Sequence, residues 1–175
     1  MLAGVFTVAC GNDGPPTQPT GPSPVPIGRG LLNLASRTED CSAISSGWGF
    51  FGPRASATVL ITASGSEWVA RPETARVGDF ELRFRLSGGT AAEGLVAGTM
   101  RGTVIDFLSA LQFPNPARVA VSGGAAGPDA ALTGTSYTQL NAILGTMTGS
   151  FTYTDSQGGV TSCTGGSWNL ASRDR

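Results

Sequence analysis

The chain has 175 residues, of which 40% are hydrophobic and 13% charged, with 26 Gly and 11 Pro. This length suits one domain with appendages, and the Gly and Pro content favours turns and extended segments over long helices. All 11 basic residues are Arg, and the absence of His and Lys excludes a Ser-His or Cys-His nucleophile, an imidazole base and a Schiff-base lysine. The Arg residues are scattered among 12 acidic residues, so no basic face for nucleic acid is expected.

The first ten residues predict export and a lipid anchor. Residues 1–9 (MLAGVFTVA) are apolar and end in small residues directly before Cys10. Val8, Ala9 and Cys10 resemble the lipobox of bacterial lipoproteins, a family in which the Cys receives diacylglycerol and becomes the mature N-terminus. Thr7 departs from the aliphatic residue usual in that family, and the run is short and carries no positive charge, so the true start is expected upstream. The alternative is an apolar start followed by a free Cys.

The next segment, residues 11–26 (GNDGPPTQPTGPSPVP), contains six Pro and no large hydrophobe apart from Val25. Such a segment cannot form a core and predicts an extended, semi-rigid spacer. At about 3.1 Å per residue, it would reach roughly 50 Å. Pro16-Thr17-Gln18-Pro19 also fits the PxxP pattern of Pro-rich ligands, but a position directly after a lipidation site favours a plain spacer.

The Cys residues fit the same interpretation, because the chain has three of them and an exported protein would leave one unpaired. If Cys10 carries lipid, Cys41 and Cys163 remain as a pair and predict a disulfide, which implies an oxidising compartment. Closing a loop of about 120 residues would stabilise the fold by roughly 4–5 kcal/mol in the chain-entropy model. The alternative is two independent buried thiols. A zinc site is disfavoured, because two distant Cys without His do not complete one.

Residues 27–175 predict an all-β domain. Apolar and polar residues alternate in the segments 56–63, 80–86 and 146–154, which is typical of antiparallel strands with one face on a core. Turn residues separate these segments, and six further strands are predicted at 31–36, 67–71, 95–105, 118–122, 130–136 and 160–171. Strands at this spacing predict an antiparallel up-and-down β-barrel or a curled sandwich of about 8–9 strands, preceded by the Pro-rich N-terminal tail.

One short motif occurs more than once inside this region. The motif Gly98-Thr99-Met100-Arg101-Gly102 recurs as Gly145-Thr146-Met147-Thr148-Gly149, with a partial third copy at Gly134-Thr135. Gly inside strands marks strong bending or close backbone approach, so the motif predicts two equivalent strands in a curled sheet.

Two segments have some helical character. Asp106 is placed to cap a short helical turn, whereas 138–144 fits either a short helix or a loop. Each of these two segments would cover a barrel end.

With its Gly-Thr strands, Thr-rich final strands and paired Cys, the domain resembles small β-barrel domains of secreted bacterial lipoproteins. More broadly, it resembles calycin-like or lipocalin-like barrels. The resemblance covers roughly residues 30–172 and implies an up-and-down barrel. The Gly-x-Trp signature of true lipocalins is not clearly present, because Gly47-Trp48 follows Cys41 and does not lie in the first strand. The ligand binding of that family therefore does not carry over residue by residue.

A Gly-rich segment with three aromatic residues is the strongest candidate for a contact site. Gly47–Gly52 matches GxGxxG literally, but Pro53 and an alternating strand follow where a dinucleotide site requires a helix. The aromatic residues of this segment and of the 106–114 turn are candidates for contact with a partner or a ligand, because Trp and Phe dominate interface energies. They are Trp48, Phe50, Phe51, Phe107 and Phe113. The alternative, which the cost of exposed apolar clusters favours, is a loop that closes one barrel end.

The charged residues of the strands give no clear site. Arg83 and Arg85, with Arg101 on a neighbouring strand, could form an anion patch. Glu81 shares their face, so surface charge that neutralises itself is the simpler interpretation. Trp68 and Trp168 lie in strand patterns and are expected in the core or at its rim.

These observations predict a non-enzymatic, lipid-anchored envelope protein on the periplasmic or cell-surface side of a bacterial membrane. It is expected to be an interaction or accessory domain that contacts the membrane through its lipid and a protein partner, without cofactor, metal ion or nucleic acid. The alternative is a carrier of a small apolar ligand inside the barrel, which needs a connected cavity of at least about 300 Å³. Inward side chains that fill the lumen would argue against a carrier; the candidates are Phe80, Phe84, Met147, Phe151 and Trp168.

Overall fold

The computed structural model describes residues 25–90 and 92–173. Nine antiparallel strands, as predicted, make up most of this part of the chain. They are β1 (Gly28–Ala35), β2 (Arg54–Ser64), β3 (Glu67–Pro72), β4 (Gly78–Gly89), β5 (Glu93–Ile105), β6 (Arg118–Ser122), β7 (Ala130–Tyr137), β8 (Ala142–Thr154) and β9 (Val160–Ser172). One short helix, α1 (Phe107–Gln112), follows β5, and 3-10 turns lie at Thr38–Asp40, Ser46–Phe51, Ala75–Val77 and Gly124–Ala126.

The strands close into a ring in which strands adjacent in sequence lie side by side or, for β6 and β7, end to end. Their hydrogen-bonded order is β4-β3-β2-β1-β9-β8-β6-β5-β7, and the additional pairs β4–β5 and β8–β7 complete the ring. The first strand pairs with the last, with Leu32 opposite Leu170. This arrangement confirms the predicted all-β, antiparallel, up-and-down architecture.

β6 and β7 together occupy a single position in the wall, between β5 and β8. β6 pairs with the end of β5 and the end of β8, whereas β7 pairs with the beginning of each. The change from β7 to β6 occurs at Gly102 (φ 105°) on β5 and at Gly149 (φ 155°) on β8. Both are the last Gly of the repeated motif. The motif therefore lies in two equivalent strands, because both flank the same interrupted position.

The interior of the barrel is filled by apolar side chains. Five residues were predicted to point inward and fill the lumen. Each of them is at most 4% exposed: Phe80, Phe84, Met147, Phe151 and Trp168. The Trp68 ring stacks on Phe84 with centroids 6.2 Å apart, and the Phe84 ring lies 6.4 Å from that of Trp168. Burial of one such side chain contributes about 1.5–3 kcal/mol, so this aromatic group is a main source of stability.

The barrel has two different ends, which we call the tail end and the loop end. The tail end carries the turns of the β2–β3, β4–β5 and β7–β8 hairpins. The chain also enters there, and the 3% exposed side chain of Val25 packs into the core. The loop end carries residues 36–53, residues 73–77, α1 and the turn 155–159.

The two segments with predicted helical character differ in outcome. The helix after Asp106 forms, and the Asp106 side chain caps it by accepting a hydrogen bond from the backbone N–H of Ser109. Residues 138–144, by contrast, form no helix, and the loop alternative holds only for their first part. They form a turn over 138–141 and the first residues of β8, because Ile143 is fully buried as an inward strand residue.

Candidate functional site

The loop end is covered by residues 36–53, which we call the lid loop. The structure joins Cys41 of this loop to Cys163 of β9 by a disulfide. The backbone N–H of Ser42 donates to the Ser162 carbonyl at 2.9 Å, one step further along the same pairing. The lid loop is thus attached to the β8–β9 hairpin, which fits the predicted Cys pairing.

Asp155, at the turn of that hairpin, holds the lid loop in place by a hydrogen bond with Ser45. Its carboxylate accepts hydrogen bonds from the Ser45 hydroxyl and from the backbone N–H groups of Gln157 and Gly159, the last two at 2.8 Å. Burial alone would raise the pKa of Asp155, but these hydrogen bonds outweigh it and hold the pKa below its usual value. A Cβ at Gly47 would collide with this carboxylate, so the loop passes it with no room for a side chain.

Trp48 is the largest described side chain of the lid loop. Its ring meets Tyr153 edge to face with centroids 5.8 Å apart. Burial raises the pKa of Tyr153 to about 12, although the Ser36 hydroxyl donates to its oxygen. The Trp48 indole N–H is buried and has no acceptor among the described residues, as is also true of Trp68. A buried donor without an acceptor is uncommon and calls for an explanation.

Helix α1 forms the opposite side of the loop end. One oxygen of Asp106 accepts from Ser109 N–H at 2.8 Å, and the other accepts from the backbone N–H of Ser56 on β2 at 2.9 Å. The helix therefore lies against β2 in a fixed position. Three of its apolar side chains, counting the residue that follows it, remain exposed: Leu108 by 51%, Leu111 by 79% and Phe113 by 48%.

A cleft of about 590 Å³ separates the lid loop from α1. We call it the loop-end cleft; its lining includes Trp48, Arg54, Asp106, Leu108, Phe113 and Asp155. Both carboxylates in this lining are held by hydrogen bonds from their own chain. The cleft therefore has a mixed lining, in which Trp48, Leu108 and Phe113 lie beside polar residues and two carboxylates that already accept hydrogen bonds.

The structure brings together some of the predicted contact residues. Trp48 and Phe113 line the loop-end cleft, whereas Phe107 packs against the core beside it. The side chains of Phe50 and Phe51, and all of Cys10, lie outside the described residues. Four residues at or beside the cleft were not predicted from the sequence as parts of a contact site: Leu108, Leu111, Asp106 and Asp155. A run of apolar residues on a short capped helix was the available signal for the two Leu residues.

The outward charges on the opposite wall form an ion-pair cluster. Arg71 Nε lies 3.0 Å from a Glu81 carboxylate oxygen, and Arg83 also donates to Glu81. Arg83 reaches Glu67 on β3 at 3.1 Å. The hydrogen bond from Arg83, with that from Arg71, holds the pKa of Glu81 below its usual value despite its partial burial. Positive and negative charges therefore satisfy one another here, as the simpler interpretation expected.

Two features are absent from the described ranges, 25–90 and 92–173. No group of three or more His, Cys, Asp and Glu residues there is arranged to hold a metal ion. No helix there is long and apolar enough to cross a membrane. Comparison with known proteins found no matching family model, no matching curated protein and no matching solved structure.

Proposed function

We propose that this chain is an exported, non-enzymatic accessory domain of a membrane protein complex, anchored by lipid on Cys10. It faces the periplasmic or cell-surface side and contacts its partner through the loop end. The observation that carries the proposal is the exposure of Leu108, Leu111 and Phe113 beside the loop-end cleft. Adjacent exposed apolar side chains at the rim of a cleft are typical of protein contact sites.

The filled interior favours an interaction domain over a carrier of apolar ligands. A carrier encloses its ligand in a cavity that buries most of the ligand surface. In this barrel, Phe84, Met147 and Phe151 are at most 2% exposed and occupy the space that such a ligand would need. The loop-end cleft lies outside this packed core, between the lid loop and α1.

The position of the tether supports the choice of surface. The chain enters the barrel at the tail end, next to Val25, and the loop-end cleft lies at the opposite end. A lipid on Cys10, joined to the barrel by residues 11–24, would thus attach the tail end and leave the loop end accessible to a partner. Attachment to a surface also raises the local concentration of both partners, so contacts of modest strength suffice.

The test is co-purification of the full-length protein from its host membrane in mild detergents. A membrane protein should co-purify with the parent, and the Leu111→Ser/Phe113→Ser variant should reduce its yield at least about tenfold. The matched control is Leu95→Ser/Leu144→Ser, which changes residues that are 54% and 45% exposed on the wall near the tail end. It should retain the partner.

A Cys10→Ser variant belongs in the same experiment and should move to the soluble fraction. Recovery of the parent alone in several mild detergents would refute the proposed complex. Unchanged membrane attachment of Cys10→Ser would refute the lipid anchor.

A further inference from the structure

The loop-end cleft has chemistry that suits an uncharged, extended occupant. Its acidic groups, Asp106 and Asp155, are engaged by backbone N–H groups, and Arg54 also has an interaction within the chain. Its rim is apolar at Leu108 and Phe113, and its lining includes Trp48, whose buried indole N–H has no acceptor among the described residues. An occupant should therefore bring apolar rings and carbonyl oxygens.

A segment with this chemistry precedes the described part of the chain. Residues 11–24 contain five Pro, one charged residue and no aliphatic or aromatic side chain. An extended Pro-rich segment has no internal hydrogen bonds, so its carbonyl groups are available to donors. Grooves lined by aromatic residues recognise such segments with little loss of conformational entropy. We infer that the loop-end cleft of one molecule binds residues 15–24 of a second copy of this chain.

The distances favour a second copy over the molecule's own tail. β9 has 13 residues, which at about 3.3 Å each and a tilt of roughly 40° place its two ends about 33 Å apart along the barrel. The molecule's own tail enters at the tail end, and the ten residues 15–24 span only about 31 Å when extended as polyproline II. The whole length of residues 15–24 would be needed to reach the cleft, so none of these residues could bind in it.

Trp48 provides the specific contact in this complex. Its indole N–H is covered by neighbouring atoms, so the bond forms when the indole turns toward the cleft and a Pro carbonyl accepts the proton. The rings of the Pro residues then lie on Leu108 and Phe113. Since each molecule has one cleft and one segment, association is head to tail and continues from molecule to molecule. This inference rests on the proposed function, because it assigns another occupant, a second copy of this chain, to the same contact site.

The test is the oligomeric state of the purified full-length chain in a Cys10→Ser background, measured by sedimentation velocity over a range of concentrations. The parent should form species that grow with concentration. A cleft variant, Phe113→Ser, and a tail variant, Pro15→Ser/Pro16→Ser/Pro19→Ser, should each weaken association at least about tenfold. Mixed together they should form a one-to-one dimer and no larger species, because only one cleft and one segment remain intact.

A second measurement reports on Trp48 itself. Addition of a synthetic peptide of residues 11–24 should shift one indole N–H resonance downfield, and this resonance should be missing in Trp48→Phe. The Trp168 indole, which donates to the Thr133 carbonyl at 3.0 Å, should not move. The control Leu95→Ser, near the tail end, should associate like the parent.

Several results would overturn the inference. They are a parent that is monomeric at all concentrations, variants that associate like the parent, a mixture that stays monomeric, and a peptide that leaves the Trp48 resonance in place. A monomeric parent that still recovers a membrane partner through Leu111 and Phe113 would refute this inference and leave the proposed function standing.

Discussion

Asp106 joins two elements that lie 50 residues apart in the sequence, since it caps α1 and also accepts the N–H of Ser56 on β2. Its side chain is 9% exposed, so both donors would be left without an acceptor if it were removed. Loss of an N-cap costs about 0.5–2 kcal/mol, and a buried N–H left without a partner costs about 1–3 kcal/mol. We therefore expect Asp106→Ala to lower the free energy of unfolding by roughly 2–4 kcal/mol, measured by urea denaturation.

Two further variants separate this effect from a loss of charge. Asn is also a good N-cap residue, so Asp106→Asn should lose less than Asp106→Ala. Asp129→Ala removes a more exposed carboxylate, 3.8 Å from Arg101, and should change stability by less than about 0.5 kcal/mol. Equal effects of Asp106→Ala and Asp129→Ala would show that the two hydrogen bonds of Asp106 do not hold α1 in place.

At the scale of elements, the shortest ladder in the ring is the one between β3 and β4. Only three residue pairs connect these strands, with Trp68 opposite Phe84, whereas eleven connect β4 to β5. The ion pairs Arg71–Glu81 and Glu67–Arg83 cross this same ladder on the outer face. Side-chain charges therefore reinforce the place where the backbone contributes least.

This arrangement gives the barrel a pH dependence of defined sign. The pKa of Glu81 is lowered in the folded state, chiefly by the hydrogen bond from Arg83. Its contribution to stability is therefore present above the unfolded pKa of about 4.5 and is lost as the pH falls through the lower folded pKa. Glu81→Gln should cost less than about 1 kcal/mol at neutral pH and should reduce the loss of stability on acidification.

The measurement is urea denaturation at a series of pH values, together with hydrogen exchange of the β3 amides. In the parent, acid should increase exchange in β3 before it does so in β8 and β9. Glu39→Gln is the control, because its pair with Arg37 is exposed and lies outside the barrel wall. If Glu39→Gln and Glu81→Gln change the acid dependence equally, the β3–β4 ladder has no special role in it.

The sequence predicted strands well because alternation is a local property. In a segment where apolar and polar residues alternate, such as 80–86, the pattern alone predicts which side chains point inward. Residues 138–144 remained ambiguous because Ala142, Ile143 and Leu144 are apolar in succession. Contacts between residues far apart in the sequence could not be predicted either, because no short segment contains a pattern for them. The second bond of Asp106, the contact of Trp48 with Tyr153 and the shared wall position of β6 and β7 each depend on residues far away in the chain.

On the scale of the whole molecule, the chain is closed twice. β1 pairs with β9, so the two terminal strands complete the ring, and the Cys41–Cys163 disulfide links residues 122 positions apart across the same region. The ring holds only in the folded state, because its pairing is lost on unfolding. The disulfide persists in the unfolded chain and restricts it. The two closures therefore act on opposite sides of the folding equilibrium.

This difference predicts the effect of removing the disulfide. In the chain-entropy model, a Cys41→Ala/Cys163→Ala variant should lose about 4–5 kcal/mol, a large part of the 5–15 kcal/mol typical of a domain. Since the unlinked chain exposes more surface when unfolded, the dependence of unfolding free energy on urea should become steeper. A reducing agent should bring the parent to the stability of the variant and leave the variant unchanged. If the variant loses less than about 1 kcal/mol and keeps the same urea dependence, the disulfide contributes little to stability, and strand pairing and the core account for it.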